Sequence, residues 1–219
     1  MIDHRPILQK LAGMVLAGLA RGITGVRPIW QGTGPSERQR IYFSNHASHG
    51  DFILLSSCLE PEERARTRAV AGADYWKATK FRRMLATDIL NTELVERNWI
   101  ERAEDPLQVL IGALNSGYSL IFFPEGTRNM SDKPLLRFKS GLYNLALAKP
   151  SVELVPCWVE NMSRVLPKGA FLPVPLLCRV IFGAPITLVE GEERRDFLDR
   201  AQAALLALNP AKAEGAAHV

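Results

Sequence analysis

His46 and Asp51 stand in the stretch Ser44-Asn45-His46-Ala47-Ser48-His49-Gly50-Asp51, between the apolar runs Ile41-Tyr42-Phe43 and Phe52-Ile53-Leu54-Leu55. A polar bend between two buried segments puts ionisable groups where charge is costly. An imidazole there suits general-base chemistry, because it takes up a proton near neutral pH. A carboxylate on its second nitrogen would fix the tautomer and stabilise the imidazolium that forms. Five residues apart on an ideal helix, the two side chains would diverge by ~140°. The pair therefore requires a turn between them, and Gly50 permits one. By themselves the two residues also read as a loop histidine and an N-capping aspartate. His49 is a rival base, and His46, His49 and Asp51 are all metal ligands by type. The His-x-His alternation of dinuclear hydrolases is absent, and downstream the sequence offers only His218, so no metal site is expected. No G-x-S-x-G elbow supplies a covalent nucleophile, which favours direct attack by a substrate hydroxyl.

A second loaded segment is Pro124-Glu125-Gly126-Thr127-Arg128, directly after the apolar run Ser119-Leu120-Ile121-Phe122-Phe123. An arginine grips phosphate through a bidentate fork, and a glycine lets backbone approach an anion closely. The same residues also read as a tight turn with a solvated arginine. Lys139 is expected to head a helix, where its charge opposes the helix dipole, and that placement suggests an anion nearby. Arg97, after Leu94-Val95-Glu96, either converges on the same anion or pairs with Glu93 or Glu101.

The elements that must carry these groups alternate between strand and helix. Arg40–Ser44, Thr67–Ala71, Glu93–Glu96, Ser119–Phe123, Glu153–Val159 and Leu177–Phe182 read as strands, with Pro156 marking an edge or a bulge. Asp51–Leu59, Tyr75–Ile89, Glu104–Asn115, Lys139–Ala148 and Glu192–Leu208 read as helices. Residues 27–40 read as loop. This alternation predicts an α/β fold with a mainly parallel mixed sheet covered by helices on both faces. Ligands of such sheets sit beyond the carboxyl ends of strands, so the two loaded loops are expected to meet over one crevice.

Residues 4–26 read as one amphipathic helix, with Ile7, Leu11, Val15, Leu19 and Ile23 recurring every four residues. Such a face fits a membrane interface and a protein core equally well. Gly13, Gly18, Gly22 and Gly25 make it a poor autonomous helix and call for a flat support. Its charge-free run, Leu11 to Ala20, is about half of the ~20 residues that span a bilayer. A secretory leader is not expected. The net charge of +4, from 27 basic and 23 acidic residues, fits an anionic substrate or membrane surface and makes no demand for nucleic acid. Cys58, Cys157 and Cys178 are odd in number and widely spaced, which predicts neither a disulfide framework nor a zinc ribbon.

Taken together, the blocks resemble the glycerolipid acyltransferase family, specifically its 1-acylglycerol-3-phosphate acyltransferases. Asn45 to Asp51 is similar to that family's N-H-x-S-x-x-D block, which contains H-x4-D. Phe123-Pro124-Glu125-Gly126-Thr127-Arg128 matches its F-P-E-G-T-R block without a change. Phe138-Lys139-Ser140-Gly141 resembles F-K-x-G, Val155-Pro156 its late V-P block, and Leu94-Val95-Glu96-Arg97 its I-D-R block with Glu for Asp. The resemblance implies acyl transfer from a thioester, acyl-CoA or acyl-carrier protein as co-substrate with no cofactor, to the free hydroxyl of a lysophospholipid, first of all 1-acylglycerol 3-phosphate. It implies His46 as general base with Asp51 as its partner. It also implies a phosphate-acceptor site shaped by Arg97, Glu125, Gly126, Thr127, Arg128 and Lys139. It favours the membrane reading of the first helix, hence a peripheral or monotopic protein on the cytoplasmic face of a membrane. The expected division is a membrane-associating helix over 1–27, an acyltransferase domain over 28–209 and a flexible tail over 210–219. One departure stands out: Lys80-Phe81-Arg82-Arg83 replaces the family's P-F-F-G-like segment. That leaves glycerol 3-phosphate or another lysolipid open as acceptor, and a non-catalytic lipid or acyl-carrier binding protein as the alternative class.

Overall fold

The structure, a computed structural model, describes residues 7–48, 50–95, 105–161 and 177–211. Seven strands form one sheet: β1 (Arg27–Trp30), β2 (Arg40–Ser44), β3 (Thr67–Gly72), β4 (Thr92–Val95), β5 (Ser119–Phe122), β6 (Glu153–Glu160) and β7 (Arg179–Phe182). Their spatial order is β1-β7-β6-β2-β5-β3-β4. Every neighbouring pair is parallel except β6 with β7. The sheet is thus mixed and mainly parallel, as expected.

Side chains alternate across this sheet and feed two cores. Tyr42, Ile121, Val155 and Phe182 pack on one face against Phe52, Leu55 and Cys58 of α2 (Asp51–Cys58). Ile41, Phe43, Leu120 and Leu154 pack on the other face. There they meet α6 (Pro106–Asn115), α7 (Gly141–Ala148) and α8 (Arg194–Ala207). With both faces covered, a central strand has no wet side, which is why β2 is buried at every position.

The topology places the crevice. β2 and β5 lie side by side, with Phe43 opposite Phe122. From β2 the chain crosses over the α2 face to β3, beyond β5. From β5 it crosses over the α7 face to β6, beyond β2. Chains leaving two adjacent strands in opposite directions open a gap at their carboxyl ends, and both loaded loops start there.

The structure corrects several sequence expectations. Residues 27–30 form β1 rather than loop, paired parallel to β7. Pro28 is tolerated because β1 is an edge strand, where a missing N–H goes unnoticed. Trp30 seals that edge by stacking on Phe182 at 4.0 Å. Pro156 lies on an inner strand, at a bulge. Leu154 bridges Ile186 while Cys157 faces Phe182, so the two residues between them on β6 oppose three on the partner segment, where the extra residue lies. The single helix expected over 75–89 is broken into α4 (Ala73–Trp76), α5 (Lys80–Met84) and a π turn (Leu85–Ile89). Thr79 causes the restart: its hydroxyl accepts the Arg82 N–H and caps α5.

The first helix, α1, spans Ile7–Thr24 and packs on α2 and the π turn. Its inward side is small and close: a Cβ on Gly13 would lie 3.1 Å from the Ile89 carbonyl oxygen. Gly18 and Gly22, by contrast, have open space around them, so no flat support explains them. The stripe Ile7, Leu11, Val15, Leu19 and Ile23 points outward and is exposed. No described helix is long and apolar enough to cross a membrane.

Candidate active site

Asn45 is the first residue past β2, and its side chain continues the sheet. Its Nδ2 donates to the Val159 carbonyl at 2.9 Å, and its Oδ1 accepts the Val159 N–H at 2.8 Å. The chain is thereby pinned as it leaves the strand, and His46 follows in a fixed direction. The His46 N–H donates to Glu125 at 2.9 Å, and its carbonyl accepts the Asn129 N–H at 2.7 Å. Both backbone groups of the histidine are held by the other loaded loop.

His46 Nδ1 lies 2.9 Å from Asp51 Oδ2. That oxygen also accepts the N–H groups of Ala47 and Ser48, at 2.7 and 2.8 Å. Asp51 opens α2 and its side chain is 1% exposed, so these bonds hold a carboxylate inside the protein. A first-turn carboxylate also complements the positive end of the helix. The five-residue spacing works because His46 precedes the helix and its ring reaches back to it. Gly50 contributes no special backbone: its φ is −86°, open to any residue. The imidazole stacks on Phe123, with ring centroids 4.2 Å apart. With Nδ1 engaged, Nε2 is the nitrogen left for a proton in transit.

His46 lines a cavity of about 620 Å³. Gly126, Thr127, Arg128 and Lys139 border the same cavity, with Ser140 and Asn144 beside them. Its apolar wall includes Phe52, Tyr75, Trp76, Leu107, Leu110 and Phe122. Neither Arg128 nor Lys139 makes an ion pair with a described residue, and the acids Asp74 and Asp105 border the same cavity. Gly126 has φ +68°, and a Cβ there would sit 2.9 Å from Lys139 Cδ. A side chain at 126 would therefore be strained and would displace the lysine. Lys139 precedes α7 rather than heading it, since the helix begins at Gly141. The dipole argument for an anion at Lys139 falls away; its place on the cavity does not. Arg97 and His49 lie outside the described residues.

Glu125 has a different task from the phosphate contact expected of it. It is buried and does not border the cavity. Its Oε1 accepts the His46 N–H and its Oε2 the Leu136 N–H at 2.7 Å, tying three loop segments together. Burial pushes its pKa up, opposed by those two backbone bonds. Sequence reasoning missed this, as it missed the part played by Asn45. The available signal was position: both residues sit at the carboxyl end of a buried strand, where loose backbone groups must find partners.

Glu125→Gln should destabilise the protein by about 1–3 kcal/mol, because an amide NH2 would face one of the two N–H donors. The sign of the pH effect follows from the raised pKa. The folded state binds the proton more tightly, so the burial penalty on the charge is present above the folded pKa and fades as pH falls. Wild type should gain on the glutamine variant between pH 7 and about 4. Urea unfolding of both proteins across that range checks it.

A family model described as Acyltransferase matches residues 29–160. The chain belongs to that acyltransferase family. Among curated proteins, the chain is 28% identical over 178 residues to a 1-acyl-sn-glycerol-3-phosphate acyltransferase of Limnanthes douglasii, covering 80% of this chain and 60% of the relative. It is 26% identical over 187 residues to a protein of the same description from Cocos nucifera, covering 85% and 58%. The chain thus spans about 60% of the length of the curated relatives it matches. Among solved structures, it resembles the crystal structure of the 1-acyl-sn-glycerophosphate (LPA) acyltransferase PlsC from Thermotoga maritima. That match has a TM-score of 0.70 at 20% identity and covers 93% of this chain and 80% of that one, a likeness of fold. The family match takes in both β2 and β5 with the loops that follow them, so the His46–Asp51 pair, Arg128 and Lys139 lie within the matched region.

Proposed function

We propose that this acyltransferase moves an acyl chain from a thioester, acyl-CoA or acyl-carrier protein, to the free hydroxyl of a lysophospholipid, first of all 1-acylglycerol 3-phosphate, to give phosphatidate. One observation carries the reading: a histidine held by a buried carboxylate shares a cavity with two cations, Arg128 and Lys139, that make no ion pair with a described residue. The names of the relatives supply the acceptor class. His46 Nε2 removes the hydroxyl proton as the oxygen attacks the thioester carbon. The tetrahedral intermediate collapses with cleavage of the C–S bond, and the imidazolium returns its proton to the leaving thiolate. Asp51 keeps the tautomer and balances the imidazolium charge. Arg128 and Lys139 hold the acceptor phosphate, with Gly126 letting it approach and Thr127 offering a hydroxyl. No cofactor or metal has a part in these steps.

The exposed apolar stripe of α1 supports a further element of the reading: α1 rests in a bilayer interface, so that a lipid acceptor reaches the cavity of the α/β domain from the membrane. Water-soluble thioester donors would meet it from the cytoplasmic side.

A panel of lysolipids and glycerol 3-phosphate, assayed by thiol release with mass-spectrometric identification of products, tests the function. The phosphate monoester acceptor should turn over fastest. Arg128→Gln should raise KM for it by about 10- to 100-fold with a smaller effect on kcat, as the loss of a charged hydrogen bond made in ground and transition state alike. Lys139→Gln should act in the same direction. Acceptors without phosphate that react as well as those with it, or an Arg128 variant with unchanged KM, would refute the assignment. Binding without turnover on every acceptor would favour a non-catalytic lipid binder.

A further inference from the structure

Five consecutive residues form a described helix with no buried member. These are α5, Lys80 to Met84, where the sequence departs from the family's P-F-F-G-like segment. Phe81 is 67% exposed and Met84 43%, with Lys80 and Arg83 exposed around them. A large aromatic and a methionine left in water on so short a helix need a reason, because nothing in the fold uses them. The interval from Lys80 to Ile89 carries three basic residues and one acid, Asp88, whose carboxylate accepts the Thr87 hydroxyl at 2.9 Å.

Two neighbours say what covers this helix. The π turn that continues α5 packs on α1, whose outward stripe is itself exposed and apolar. From the middle of α5, the Arg82 guanidinium lies 4.5 Å over the ring of Tyr75, which borders the active-site cavity. The helix thus runs on into a π turn packed on the inward side of α1, and through Arg82 it adjoins the wall of the cavity. We infer that α5 is a second membrane contact, with Phe81 and Met84 entering the interface and Lys80 and Arg83 meeting anionic headgroups beside the cavity. The inference rests on the reading that α1 lies on a bilayer. It adds a preference for negatively charged membranes, which the apolar stripe of α1 does not supply, and it gives a role to the segment that departs from the family pattern. An anionic surface attracts each nearby cation by about 1 kcal/mol, within a Debye length. Exposed aromatic and thioether groups bind it through apolar burial.

Flotation of the full chain with phosphatidylcholine vesicles, with and without phosphatidylglycerol, tests this. Wild type should bind both and prefer the anionic vesicles, with the preference lost at high salt. Lys80→Gln with Arg83→Gln should weaken binding to anionic vesicles by on the order of 20-fold and leave zwitterionic binding nearly unchanged. Phe81→Ser with Met84→Ser should weaken binding to both by about tenfold or more. Leu11→Ser with Leu19→Ser reports on α1 separately, and circular dichroism of each variant reports on folding. If the α1 variant is released while both α5 variants bind as wild type, the α5 inference falls and the α1 reading stands. If wild type fails to bind either vesicle, both fall. If the cationic variant binds vesicles normally but loses affinity for an acidic acyl-carrier protein, the surface serves a protein partner and the inference is overturned.

Discussion

His46→Ala should lower kcat for acyl transfer by about 10³- to 10⁴-fold, at the upper end of what a general base contributes. The fold should survive the change. The loop around His46 is held by main-chain bonds, from its N–H to Glu125 and from the Asn129 N–H to its carbonyl, and alanine retains both. Asp51 would lose one donor to Oδ2 and keep the Ala47 and Ser48 N–H groups. The stacked contact with Phe123 disappears, but the ring is already 12% exposed, and the space it leaves opens on the cavity rather than sealing a void in the core. KM for a phosphate-bearing acceptor should change little, since Arg128 and Lys139 are untouched. Thiol release under saturating substrate and a thermal melt, measured together, check the prediction. A folded variant with near wild-type kcat would remove His46 from the mechanism.

What the sequence made legible was local and periodic. The uninterrupted apolar runs at Ile41–Phe43 and Leu120–Phe122 became neighbouring buried strands, because a strand covered on both faces has no wet side to reward polar alternation. The meeting of the two loops followed from their shared place after strands. Their actual closeness depends on β2 and β5 being adjacent in the sheet, a pairing across more than 70 residues of chain that no local pattern records. β1 was missed because a four-residue edge strand containing proline carries almost no periodicity. The inward turn of Glu125 was missed for another reason: on a loop, side-chain direction is set by which backbone N–H groups need an acceptor, and those of His46 and Leu136 come from elsewhere in the chain. Gly50 shows the opposite error. A glycine beside a required bend suggested backbone freedom, yet the turn is made in ordinary helical geometry. Arg97, expected at the phosphate site, falls outside the described residues.

Asp51→Asn should lower kcat by on the order of 10²- to 10³-fold, and the hydrogen bonds around the residue explain why the loss stops short of the His46 variant. Oδ2 accepts from His46 Nδ1, Ala47 N–H and Ser48 N–H at once. An asparagine must put its carbonyl oxygen there, because an NH2 group would oppose both backbone donors. The tautomer with Nε2 free is therefore retained, unlike cases in which an amide turns round and traps the wrong one. What goes is the negative charge that balances the imidazolium in the transition state. The NH2 then occupies the place of Oδ1, which is buried with no partner among the described residues. Since Oδ1 already lacks such a partner, the stability lost is that of the charge in the bonds from the Ala47 and Ser48 N–H groups, about 1–2 kcal/mol, and the midpoint of thermal unfolding should fall by a few degrees. If Asp51 acts only through His46, the double variant His46→Ala, Asp51→Asn should be no slower than His46→Ala alone, since the carboxylate has nothing left to assist. Losses that multiply instead would place Asp51 in contact with substrate or in control of the cavity by another route, and the pair would no longer be a base and its orienting partner.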